Sequence, residues 1–171
     1  MNKEIVFVFK KGRKINQSPQ NITSSEFFYG LITILKKKYQ ASSVLEDSFG
    51  IGNNSNFLIK IINWISVKCI SFSIYPIFYF IFRNKSKDHK KVYVLTTNTQ
   101  GFIFSLAKQL NLIKSDIYFI IMGAIPSNIS KFKLIFYKLI FMNTNLIFQS
   151  NNELKYINKI LPDHKKFFVP F

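Results

Sequence analysis

The stretch Asn145–Phe171, NLIFQSNNELKYINKILPDHKKFFVPF, decides the fold. Leu146–Gln149 is a short apolar run that reads as a strand, Asn151–Ile160 carries a helical pattern, and Phe167–Pro170 reads as a further strand. Strands joined through a helix are parallel neighbours, because only a crossover of that length can return the chain to the same end of the sheet. The alternation extends backwards, with strand-like runs at Val92–Thr96 and Ile117–Met122 and helical patterns at Gly101–Leu110 and Lys131–Met142. Nearer the start, Glu4–Phe9 reads as a buried parallel strand and Ser42–Glu46 as another. Between those two, Thr23 and Ser24 offer an N-cap ahead of Phe27, Phe28, Leu31, Ile34 and Leu35 at helical spacing, and Lys36, Lys37 and Lys38 suit the negative end of the helix dipole. The pattern predicts an α/β fold, a Rossmann-like doubly wound parallel sheet with helices on both faces.

The chain has 171 residues, enough for one domain with a sizeable core. Hydrophobic residues make up 48% and charged residues 19%, which excludes disorder for most of the length. Lys and Arg number 24 against 8 Asp and Glu, a formal charge of +16, which favours a polyanionic partner such as an anionic membrane, a phosphorylated substrate or nucleic acid. Only Arg13 and Arg83 are arginines, and the excess of Lys, Ile, Asn and Phe follows AT-rich coding, so the sign of the charge carries more than its size. Cys69 is the one cysteine, which excludes an intrachain disulfide and a cysteine-based metal site. The first apolar run, Ile5 to Phe9, is shorter than the core of a signal peptide and leads directly into Lys10 and Lys11, so a cytoplasmic setting is expected.

In a sheet of this kind ligands sit beyond the carboxyl ends of the strands. The loops to inspect are therefore Lys10–Asn16, Thr97–Gly101, Gly123–Ile129 and Ser150–Glu153. Lys10, Lys11, Gly12, Arg13 and Lys14 follow the first strand, where amides and cations could hold a phosphate, although a charged turn would look the same. Met122 and Gly123, with Pro126 beyond them, end a buried strand in a tight turn. His89 and His164 sit in loops rich in Lys and Asp and read as surface residues; no metal-ligand spacing, P-loop, nucleophile elbow or dinucleotide fingerprint is present. Glu46 and Asp47 close the second strand as a pair that could face a pocket, though a solvated turn explains them better.

Phe57 to Phe82 is the most apolar segment. A continuous helix of that length would cover a hydrocarbon core of roughly 30 Å. Lys60, Trp64, Lys68, Ser71 and Tyr75 share one face at about 100° per residue, which a spanning helix does not need, and Pro76 favours two shorter helices over one rod. Arg83, Lys85, Lys87, Lys90 and Lys91 follow directly. Three readings stay open: peripheral contact with an anionic membrane through Lys60, Trp64, Lys68, Tyr75, Arg83 and Lys85, a buried helix pair covering the sheet, or a true span. Lys131, Lys133 and Lys138 interleave with Phe132, Phe136, Tyr137 and Phe141 in a second basic, aromatic helix that an ordinary sheet-packing helix with snorkelling lysines also explains.

The order of elements resembles the N-terminal domain of a GT-B glycosyltransferase, most like the retaining family 4 of bacterial sugar transferases. Three stretches carry the resemblance: the first strand with its Gly12 loop and the helix from Ser24, Tyr118–Pro126 written YFIIMGAIP, and Asn145–Phe171. The last is similar to the family's strand, Ser, acidic helix and lysine-led strand ending in Pro. Here the family's double glycine is reduced to Gly12, and Met122 stands where the family often has histidine. The resemblance implies that Gly12, Arg13 and Lys14 face the diphosphate of a nucleotide-sugar donor. Asn98, Gln100 and Gly123 would then border a glycan or lipid-linked acceptor, with Met122, Ser150 and Glu153 at the cleft edge. It implies no metal or other cofactor, no catalytic residue that can be named, and a chain corresponding to the acceptor-side half, whose donor-binding partner domain would begin after Phe171. Such a half is expected to be inactive by itself. The rival expectations are a non-catalytic membrane-associated module or one half of a split transferase. Nucleic-acid binding ranks low because arginine is nearly absent and the aromatics fall on expected core faces.

Overall fold

The computed structural model describes residues 3–10, 40–49, 57–70, 73–82, 91–123 and 130–169. Six strands form one all-parallel sheet: β1 (Glu4–Phe9), β2 (Ala41–Leu45), β3 (Lys91–Leu95), β4 (Asp116–Ile121), β5 (Asn145–Phe148) and β6 (Lys166–Phe168). Their spatial order is β2-β1-β3-β4-β5-β6. The chain steps one way from β1 to β2, then returns across β1 to β3 and continues to β6 in the other direction. That reversal defines a Rossmann-like doubly wound α/β fold, with its switch point between β1 and β3. Most strands begin one residue earlier than the sequence suggested. The polar first residues Lys91, Asp116 and Asn145 still make ladder pairs, although side-chain hydropathy does not mark them.

Five helices are described: α1 (Phe57–Ile70), α2 (Tyr75–Phe82), α3 (Asn98–Gln109), α4 (Lys131–Phe141) and α5 (Asn151–Ile160). The expected division of the apolar segment into two helices is present, with Pro76 in the first turn of the second. Pro76 is the second residue of α2, where a missing N–H costs nothing because first-turn amides have no intrahelical partner. Helix α3 starts three residues before the expected Gly101, capped by Thr97, whose side chain accepts from the Gln100 nitrogen at 3.4 Å. The helix expected from Ser24 lies outside the described residues.

The register aligns Val6 with Tyr93 and Val8 with Leu95, then Tyr93 with Ile117 and Leu95 with Phe119, so one sheet face is a continuous apolar layer. Helix α3 presses Phe104 onto Tyr93 with ring centroids 5.4 Å apart. Phe49, in the short 3-10 turn Glu46–Phe49, meets Phe104 edge-on at 4.9 Å, and Phe80 of α2 meets it at 5.0 Å. On its other flank α3 sets Phe102 against Phe141 of α4 at 5.1 Å. Helices α2, α3 and α4 thus form one layer welded by aromatic edges, each pair worth about 0.5–1.5 kcal/mol beyond its area burial. Gly101 makes the close approach possible: a Cβ there would lie 2.3 Å from the Phe119 ring.

Lys91, from the basic cluster before β3, is drawn into the sheet and lies 3.8 Å from Glu4, which also accepts from Ser42 at 2.6 Å. His164, expected at the surface, is half-buried, with Nε2 3.2 Å from the Lys138 carbonyl.

Candidate functional site at the carboxyl edge of the sheet

Parallel strands deliver their following loops to one edge, and that edge gathers the expected acceptor-side and cleft-edge residues from three separate connections. Asn98 and Gln100 occupy the first turn of α3 after β3, Met122 and Gly123 follow β4, and Ser150 and Glu153 open α5 after β5. Two hydrogen bonds tie these connections together. Asn98 Nδ2 donates to the Met122 carbonyl at 3.0 Å, and the Gly123 nitrogen donates to Glu153 Oε1 at 2.7 Å. The Met122–Gly123 turn is therefore gripped from both sides by the first turns of α3 and α5. Gly123 has φ +61°, the left-handed region that glycine enters without penalty, and the space where a Cβ would project is open.

Glu153 is the residue whose role the sequence conceals. Ser150-Asn151-Asn152-Glu153 has the spacing of a capping box, in which Glu would turn back to its own helix start. In the structure Ser150 is the N-cap but makes no side-chain capping bond, and Glu153 reaches across to the neighbouring loop. Desolvation raises the Glu153 pKa above the usual carboxylate range, opposed in part by the Gly123 N–H. A carboxylate partly removed from water beside a turn is suited to accept hydrogen bonds from hydroxyl groups.

Gln100 supplies a second signal. It is 5% exposed, and its Oε1 is buried without a hydrogen-bond partner among the described residues. Leaving such an acceptor unpaired costs about 1–3 kcal/mol, and natural folds tolerate few of them. Thr96, beside it at the switch point, is by contrast satisfied: its hydroxyl donates to the Val8 carbonyl at 2.8 Å and bridges β3 to β1. The N-termini of α3 and α5 both open on this edge, where their dipoles favour negative or strongly hydrogen-bonding ligands.

The expected donor-facing Gly12, Arg13 and Lys14 lie outside the described residues, as do Arg83 and Lys85 of the expected membrane face. Lys60, Trp64 and Lys68 are exposed on α1, and Tyr75 is half-buried at the start of α2. Among the described residues no three His, Cys, Asp or Glu side chains gather as a metal site, and no helix is long and apolar enough to cross a membrane. The fold is that of a Rossmann-like α/β domain whose carboxyl edge ties three connections together by hydrogen bonds. Comparison with protein-family models, curated proteins and solved structures finds no match to this chain.

Proposed function

We propose that this chain is the acceptor-side domain of a GT-B glycosyltransferase, working at the inner face of a membrane. It would receive a lipid-linked or cell-envelope glycan acceptor and act with a donor-binding unit that holds a nucleotide sugar. The observation that carries the reading is Gln100, buried with an unpaired carbonyl oxygen at the carboxyl edge, next to the Asn98, Met122, Gly123 and Glu153 clasp. A saccharide hydroxyl would give this oxygen a donor and would give the Glu153 carboxylate a second one beside the Gly123 N–H. The resemblance of Asn145–Phe171 to the family's strand, helix and strand supports the same reading.

In the proposed reaction an acceptor hydroxyl oxygen forms a bond to the anomeric carbon of the donor sugar. The bond from that carbon to the nucleoside diphosphate breaks, the diphosphate leaves with the electron pair, and the hydroxyl proton is released. Asn98, Gln100 and Glu153 are positioning residues in this scheme. They hold acceptor hydroxyls near the edge, which lowers the entropic cost of a reactive alignment. The exposed apolar surface of α1 also suits a second reading, in which the chain is a non-catalytic membrane-associated module or one half of a split transferase.

The test has two parts: saturation-transfer NMR of the purified chain with oligosaccharides and short-chain polyprenyl-phosphate sugars, and transfer from radiolabelled nucleotide sugars by the product of the whole reading frame. Expected are saccharide binding that Gln100→Leu weakens at least tenfold and donor-dependent labelling of a lipid fraction. A folded chain that binds no saccharide, with no labelling from any donor, overturns the proposal.

A further inference from the structure

Helix α1 turns large apolar residues outward alongside its two lysines. A surface helix of a water-soluble domain turns its apolar stripe to the core and its polar residues to solvent. Among the described side chains the inward arc is Ile59, Asn63 and Ser66, spaced i, i+4 and i+7, and two of the three are polar. Asn63 Oδ1 accepts from Ser73 Oγ at 2.9 Å and from the Ile74 nitrogen at 2.9 Å, fastening α1 to the start of α2, and Ser66 is buried. The outward arc carries Phe57 at 73% exposure, Trp64 at 63%, Leu58 at 62% and Ile65 at 47%, with Ile61, Ile62 and Val67 also exposed. Helix α4 exposes Ile135 and Leu139 too, but it buries Ile140 and Phe141 on its inner side, so its polarity is ordinary.

The cations on the outward arc select among possible occupants. Lys60 and Lys68 are exposed on it at i and i+8, on either side of Trp64, and Lys68 Nζ stands 6.0 Å from the Trp64 ring centroid. A second copy of a chain with charge +16 would bring these lysines towards like charge. The desolvated core of a protein interface is depleted in lysine. An anionic bilayer accommodates the whole set, because apolar side chains enter the acyl boundary while lysines extend along their stems to the lipid phosphates and Trp lies at headgroup level. Its 14 residues make α1 too short to span but long enough to lie flat.

We propose that α1 lies in the plane of an anionic membrane, with Phe57, Leu58, Ile61 and Ile65 in the acyl boundary and Lys60 and Lys68 on lipid phosphates. The inference rests on the membrane contact within the preceding proposal and is independent of sugar transfer. It specifies the contacting element and the way it inserts.

Trp64 is the only tryptophan in the chain, so its fluorescence reports directly on this helix. The full chain is mixed with vesicles of phosphatidylcholine alone or of phosphatidylcholine with phosphatidylglycerol, each with and without acyl-brominated lipid. Expected are a blue shift and bromine quenching with the anionic vesicles and little change with the neutral ones. Lys60→Ala and Lys68→Ala each weaken partitioning about fivefold. Ile65→Asp, at an exposed position and with unchanged circular dichroism, abolishes the shift. Unchanged Trp64 emission with anionic vesicles, equal binding to both vesicle types, or a lipid-free shift that grows with protein concentration each overturn the inference. Vesicle binding without saccharide binding or transfer overturns only the glycosyltransferase reading. Transfer without vesicle binding overturns only this one.

Discussion

Glu153, in the first turn of α5, accepts a 2.7 Å hydrogen bond from the backbone nitrogen of Gly123, thirty residues earlier at the end of β4. The bond joins two successive crossovers at the edge where parallel sheets hold their ligands. The partial burial of Glu153 gives the edge a pH dependence that this bond opposes in part. Burial raises the Glu153 pKa above its ordinary value of 4.5, so the folded state holds this proton more tightly than the unfolded state. The resulting stability is complete below the ordinary value and is lost as pH rises through the raised native value. Asp116 works in the opposite sense: its hydrogen bond to Lys3 lowers the pKa below 3.8, so its stability is present above that value and lost as pH falls through the native one. Urea midpoints across the acidic range should show each slope vanish separately, in Glu153→Gln and in Asp116→Asn. The Asp116 effect should be small, because the pair is about half exposed and surface pairs contribute roughly 0–1 kcal/mol.

Gln100 sets stability against function. Replacing it with leucine removes a buried acceptor that has no partner while keeping much of the volume. Gln100→Leu should therefore stabilise the fold by about 1 kcal/mol even as it weakens saccharide binding. Chemical denaturation checks the first effect. A clear loss of stability would mean that the carbonyl is satisfied in solution.

Gly101→Ala places two effects in competition. Helix propensity favours alanine by about 1 kcal/mol. The added methyl would meet three atoms of the Phe119 ring at 2.3 to 2.4 Å, and that ring is fully buried. Overpacking of this kind costs about 1–3 kcal/mol and should win. The expected result is a lower denaturation midpoint and an altered near-ultraviolet spectrum as the Phe102, Phe119 and Phe141 cluster shifts.

Asn63→Ala should loosen α1 without unfolding the sheet. Its carbonyl oxygen satisfies the Ile74 nitrogen just before α2, a capping interaction whose loss costs about 1 kcal/mol. Hydrogen exchange should accelerate across residues 57–82 and remain unchanged in β1, β3 and β4. Uniform acceleration throughout the chain would show that the two helices belong to the same cooperative unit as the core.

Much of the fold was legible in the sequence because strands and helices bury their apolar residues with different periods. β1 and α5 have the expected boundaries, and the other described strands start one residue early, β3 to β6 on a polar side chain and β2 on Ala41. The candidate edge residues were also legible, since position after a strand in a parallel sheet is enough to send a residue there. The bond between Gly123 and Glu153 was not, because a capping-box spacing describes Ser150 and Glu153 equally well by local rules. Nor was the burial of Phe49, which closes an aromatic cluster from a four-residue turn too short to show periodicity.

By itself, the order of apolar runs in the sequence determined the α/β class, the parallel direction of the strands and the division of 57–82 into two helices. The first two follow from local periodicity and the length of the connections, and the third from Pro76. Only the tertiary structure decided which side of α1 faces the protein. Two sides of that helix are apolar enough to be buried, and the choice fell to Asn63, whose hydrogen bonds to Ser73 and Ile74 turn a polar arc inward and leave Phe57, Leu58, Trp64 and Ile65 exposed.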